Sequence, residues 1–162
     1  MSRATRSRSA ALVVLIGGSL LAPGGASASN GSIIAKLRAA DPTITRDERS
    51  IAQEARKFKR THKTGPVRAA ISREVRDLNR VTGKVAAQSV SNAKGGQAKV
   101  LIIKGLKAIR KAYQVLGGVF ANGAKNPKAI PGEIARAQRL VRKGRAQFFA
   151  GQRLLGLNAP KA

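Results

Sequence analysis

Residues 98–122, AKVLIIKGLKAIRKAYQVLGGVFAN, decide the fold class. At about 100° per residue, Leu101, Ile102, Leu106, Ile109, Tyr113, Leu116, Val119 and Phe120 fill one half of a helical wheel. Lys99, Lys104, Lys107, Arg110 and Lys111 fill the other half. An apolar stripe against a basic one is the signature of a helix with one face in a core and one in water. Gly105 and Gly117 fall among the apolar positions, where a missing side chain lets a neighbouring helix come close.

The same period recurs on both sides. Downstream, a polar connection through Asn122-Gly123 and Asn126-Pro127 reaches Pro131, after which Ile134, Ala137, Leu140, Val141, Gly144, Phe148, Gly151 and Leu155 line a further helix. Arg136, Arg139, Arg142, Lys143, Arg145 and Arg153 occupy its other side, and Gly156 with Pro160 marks its end. Upstream, Val67, Ile71, Val75, Leu78, Val81 and Val85 lie along one side of a stretch that opens after Pro66. Arg73, Arg76, Arg80 and Lys84 lie opposite, Gly83 weakens the helix, and Gly95-Gly96 is expected to stop it. The first stretch follows Asp41-Pro42, with Thr45 as the expected N-cap and Glu48 as its capping-box partner. Ile44, Ile51, Ala55 and Phe58 share its apolar face, and it ends before Gly65-Pro66.

These four stretches predict an all-α protein: an up-and-down antiparallel bundle of three long amphipathic helices plus a shorter N-terminal helix, after a signal peptide. At about 1.5 Å per residue the long helices make rods of roughly 35 to 40 Å. The implied division is a cleaved signal peptide over 1–28, a flexible or partly helical segment over 29–43, a helical bundle domain over 44–157 and a disordered tail over 158–162.

The leader rests on three features in order. Arg3, Arg6 and Arg8 make a positive start, Ala10 to Ala22 is uncharged and rich in Leu, Val and Ile, and Pro23-Gly24-Gly25 breaks it ahead of Ala26-Ser27-Ala28. Cleavage is expected after Ala28. An uncleaved anchor would need ~20 apolar residues, which this stretch, with its Gly17, Gly18 and Ser19, does not supply. The expected location is therefore secreted or cell envelope. The Ala-, Arg- and Gly-rich usage and this leader layout resemble those of small exported proteins from bacteria with GC-rich genomes.

The chain carries 32 Lys and Arg against 7 Asp and Glu, and removal of residues 1–28 leaves a formal charge of +22. From Leu78 onward there are 17 basic residues and one acid. Ordinary solvated faces mix signs; these hardly do, which favours binding to an anionic partner over mere solubility.

Chemistry is sparsely provided for. There is no Cys, so a disulfide framework, thiol catalysis and Cys-ligated zinc are excluded. His62 is the one histidine and lies in the basic run Lys57-Phe58-Lys59-Arg60-Thr61-His62-Lys63, where a surface position is expected. Six of the seven acids lie between Asp41 and Asp77: Asp47 and Glu48 fit a first helical turn, and Glu54, Glu74 and Asp77 have Arg neighbours at helical spacing. No catalytic residues, cofactor or metal are expected, no small-molecule substrate is implied, and the protein is read as not an enzyme.

The expected activity is binding of anionic polymers, a cell-envelope polyanion or nucleic acid, by sequence-independent electrostatics. Arg136, Arg139, Arg142, Lys143 and Arg145 form the first candidate patch, Lys99, Lys104, Lys107, Arg110 and Lys111 the second, and Lys57, Lys59, Arg60 and Lys63 the third. Few aromatic residues are available for stacking, so base-specific recognition is not expected. Two alternatives stand beside it. One is surface action on an anionic membrane, into which Phe149 could insert, although packing of Phe149 against another helix is the favoured expectation for that ring. The other is a protein-interaction module for an acidic partner.

Overall fold

The computed structural model describes residues 30–123 and 126–157, so the leader, the tail at 158–162 and the signal-peptide expectation lie outside the described residues. Within them the chain is all-α. Four helices follow one another: α1 Gly31–Thr61, α2 Thr64–Ala86, α3 Ala93–Asn122 and α4 Ile130–Leu154, with a 3-10 turn Pro127–Ala129 leading into α4. There are no strands among the described residues. None of these helices is long and apolar enough to cross a membrane.

The first helix departs most from expectation. It is the longest element, 31 residues, rather than a short one, and runs straight through Pro42 and Thr45 instead of being capped there. The cause is an apolar stripe that continues upstream: Ile33, Ile34 and Leu37 are each 3 % exposed or less and lie in register with Ile44, Ile51 and Ala55. A proline inside a helix costs about 3 kcal/mol. Burying three large aliphatic side chains at about 1.5–3 kcal/mol each exceeds that. Asp47 and Glu48 are accordingly mid-helix and buried, not in a first turn.

The second correction concerns Gly95-Gly96. α2 already ends at Ala86, and these glycines belong to the first turn of α3. Asn92 caps that turn, its side-chain oxygen accepting from the Gly95 backbone N–H at 2.7 Å. A Cβ on Gly95 would collide with the side-chain amide of Asn30, the buried residue just ahead of α1.

Packing follows the predicted faces. α1 packs on α2, α2 on α3, and α3 on α4. Val67, Ile71, Leu78, Val81 and Val85 from α2, and Ile102, Leu106, Ile109, Leu116 and Phe120 from α3, enter one core with Ile134, Ala137, Val141 and Phe148 from α4. The α3–α4 seam is a backbone-to-backbone approach. A Cβ at Gly105 would lie 2.6 Å from the Gly144 carbonyl oxygen, one at Gly144 2.8 Å from the Gly105 carbonyl, and one at Gly151 2.8 Å from that of Ala98. Gly117 makes no such approach; a Cβ there would meet Ile71 at an ordinary 3.5 Å. Elsewhere Arg73 reaches Ser50 at 3.1 Å, and Phe58 near the end of α1 stacks edge-on with Phe120 near the end of α3 at 5.3 Å.

Candidate functional site

The helical period that builds the core leaves the cations outside, and the structure sorts the candidates into two groups. On α4, Arg136, Arg139, Arg142 and Lys143 are exposed on the side away from the Gly144–Phe148 seam, and Arg136 lies 3.7 Å from Glu133. On α3, Lys104, Lys107 and Lys111 are exposed. The third run sits where α1 gives way to α2: Lys57 pairs with Glu54 at 2.8 Å, while Lys59, Arg60 and Lys63 are exposed. Among the described residues, Arg139, Arg142, Lys143, Lys104, Lys107, Lys111, Lys59 and Arg60 make no side-chain hydrogen bond or ion pair within the protein.

Three of the remaining candidates are committed to the fold. Lys99 is half-buried and donates to the Gln88 backbone carbonyl at 2.7 Å, tying the start of α3 to the chain that follows α2. Arg110 is half-buried and donates to Asn79 on α2. Arg145 is half-buried, and its charge acts on Glu48 and Tyr113 rather than facing outward with its neighbours. His62 is exposed in a left-handed conformation (φ 55°) at the end of α1, its backbone N–H donating to Phe58 at 2.8 Å. Phe149 is half-buried against the core and meets Phe148 edge-on at 6.0 Å, in line with the packing role expected for it ahead of lipid insertion.

Beneath these basic faces lies a cluster the sequence reading did not anticipate. Glu74 on α2 is fully buried, 0 % exposed, and neither carboxyl oxygen has a hydrogen-bond partner. Burial first, and then the charges of Glu48, Asp47 and Asp77, push its pKa up to about 9. Glu48 on α1 is pushed up to about 7 by burial; Arg145 opposes the rise, Asp41 adds to it, and a hydrogen bond with Tyr113 opposes it again. Burial and the two glutamates hold the Tyr113 hydroxyl well above its ordinary range. Asp47 is also raised, by burial and by a hydrogen bond shared with Asp77, while Arg46 at 3.4 Å pulls the other way. Glu74 thus has no Arg partner, contrary to expectation, whereas Asp77 has Arg80 at 2.9 Å.

The signal for this cluster was present in the spacing. Glu48 falls between Ile44 and Ile51, and Glu74 between Ile71 and Leu78, each at three- and four-residue steps on the apolar face. What this arrangement can do chemically is hold protons in the core at neutral pH. Among the described residues no group of His, Cys, Asp and Glu is arranged to hold a metal ion. The chain matches no protein-family model, no curated protein and no solved structure in the three comparisons made.

Proposed function

We propose that this chain is an exported, non-enzymatic basic protein that binds anionic polymers through sequence-independent electrostatics, using an up-and-down antiparallel four-helix bundle as a rigid carrier of charge. Several contacts support the antiparallel reading. Arg73 of α2 meets Ser50 of α1, Arg110 of α3 meets Asn79 of α2, and Gly105 and Gly151 bracket an α3–α4 seam in which rising numbers on one helix face falling numbers on the other.

The observation that carries the binding reading is the exposed, internally unpaired set Lys104, Lys107 and Lys111 on α3 with Arg139, Arg142 and Lys143 on α4. Cations held for stability are normally met by carboxylates of the same chain. Here Asp47, Glu48 and Glu74 are buried instead, and Glu133 is the one acid beyond Leu78. A polymer of closely spaced anions would release its counterions on meeting such faces, and Arg would add forked contacts to phosphate.

Titration of the chain into duplex DNA and into a carboxylate-rich polysaccharide across a salt series tests the reading. Binding to both should weaken log-linearly with salt, with a slope on duplex DNA near −0.9 for each phosphate neutralised. Absence of binding to either polymer at low salt would refute it. Affinity that is flat with salt would instead point to a docked protein partner.

A further inference from the structure

From the groove between α1 and α2, we infer a discrete binding site for a single phosphate group, formed by Lys36 and Thr43 of α1 with Arg80 and Lys84 of α2. The groove encloses about 160 Å³, and Ala39, Ala40, Asp77 and Val81 complete its lining. Drug-sized ligands occupy pockets of about 300–1,000 Å³, so this one suits a small ion or a single substituent of a larger molecule. None of its three cations belongs to the faces assigned above to diffuse polymer binding.

The groups present select among small ions. Lys36, Arg80 and Lys84 are exposed at the rim and bring three positive charges against the one negative charge of Asp77. That net charge complements a phosphate dianion. Asp77 does not repel the guest outright, because Arg80 Nη1 already donates to its Oδ1 at 2.9 Å. The bond uses one guanidinium N–H and leaves the others for a guest. A planar carboxylate is best held by an unobstructed Arg fork, and here part of that fork is taken. A tetrahedral oxyanion instead accepts from several directions, as two Lys ammonium groups, the remaining guanidinium donors and the Thr43 hydroxyl would offer from two helices. The small side chains of Ala39 and Ala40 in the lining also leave room for a guest.

This site deepens the polyanion reading by adding a point at which phosphate-bearing chains are preferred over carboxylated ones, and it rests on that reading for its biological use. Amide NMR of the full chain at constant ionic strength, titrated with inorganic phosphate and in parallel with acetate, tests it. Phosphate should produce saturable shifts confined to residues around 36–43 and 77–84, and acetate should not. The double variant K36Q/K84Q, altered only at exposed positions, should weaken phosphate binding by tenfold or more, whereas R139Q/R142Q/K143Q should leave it unchanged. Non-saturating shifts spread over all basic faces, or equal losses from both variants, would overturn the site. The polymer titrations are read separately: salt-steep polymer binding without a phosphate site would sink this inference alone, and a phosphate site without polymer binding would sink the broader reading alone.

Discussion

Replacement of Glu74 by glutamine should stabilise this protein, and by an amount that grows with pH. Glu74 has an ordinary carboxyl pKa of 4.5 in the unfolded chain and about 9 when buried. Below pH 4.5 both states are protonated and the residue costs nothing electrostatically. Above that point the unfolded chain releases its proton while the folded one keeps it, so stability falls by about 1.36 kcal/mol per pH unit until the folded pKa is passed. The sign is opposite to that of a salt-bridged carboxylate, whose contribution is present above its unfolded pKa and lost as pH falls. At pH 7 the penalty is about 3 kcal/mol, and near pH 9 it approaches about 6 kcal/mol, an upper bound because water entering the core would reduce it. Glutamine removes the titration but brings an amide that needs partners, and Glu74 already lacks them for both oxygens. That cost, about 1–3 kcal/mol, does not vary with pH. The decisive quantity is therefore the change in the E74Q effect between pH 4 and pH 9, read from urea denaturation of both proteins followed by circular dichroism. A pH-independent difference would refute the argument and mean that Glu74 is ionised in the fold or reached by water.

Other consequences are open to the same kind of measurement. Gly105→Ala places a Cβ 2.6 Å from the Gly144 carbonyl oxygen and should destabilise the bundle by about 1–3 kcal/mol, whereas Gly83→Ala, with nothing within 4 Å of its new Cβ, should stabilise it by about 1 kcal/mol. Thermal melts of the two variants compare the seam with open helix surface directly; equal shifts would mean that the helices separate readily. Pro42→Ala restores a backbone donor inside α1 at an exposed position and should raise stability by up to about 3 kcal/mol. A loss of stability on that change would show that the proline itself is needed at that position. R139Q/R142Q/K143Q should reduce DNA affinity and lower the salt slope by about 2 to 3 while leaving the melting temperature within error; a lowered melting temperature with unchanged affinity would move these cations from binding to structure.

The helices themselves were legible because each carries its apolar residues at three- and four-residue steps, and α3 in particular buries Ile102, Leu106, Ile109, Tyr113, Leu116 and Phe120 as its wheel requires. The local boundary signals are what the structure overrides. Pro42, Thr45 and Gly95-Gly96 look like punctuation, yet the burial of Ile33, Ile34 and Leu37 carries α1 past the first two, and the Asn92 cap moves the α3 boundary ahead of the third. Tertiary burial outweighs a single breaker when several aliphatic side chains depend on it. The candidate cations were legible as a stripe but not individually. Nothing in the spacing separates Lys143, exposed, from Arg145, two residues on and turned toward Glu48, because that distinction depends on which helix lies beside α4. The acid cluster is hidden for a related reason: Arg neighbours in sequence suggest partners for Glu74, although the same helical spacing places the carboxyl on the apolar side and the guanidinium groups in water.

The interior and the surface are linked by where the negative charge goes. Formal charge counts all seven acids as −1, but Glu74 is neutral at pH 7, Glu48 is near half-protonated there, and Asp47 is raised with them. Those three groups are also buried, and none of them pairs with the exposed cations of α3 and α4. An approaching polymer therefore meets a field more positive than the sequence total, with little carboxylate on α3 and α4 to compete for it. Had the same acids been placed on the outer faces, they would have formed the ordinary i,i+3 and i,i+4 pairs, as Glu54 and Asp77 do with Lys57 and Arg80. The fold would have gained stability, since three carboxyls would no longer be desolvated, and the surface would have carried a weaker positive field. Carrying the acids inward has the opposite balance, a weaker core and a less screened exterior. If the proposed polymer binding holds, the stability cost at Glu74 is the counterpart of the binding expected on α3 and α4.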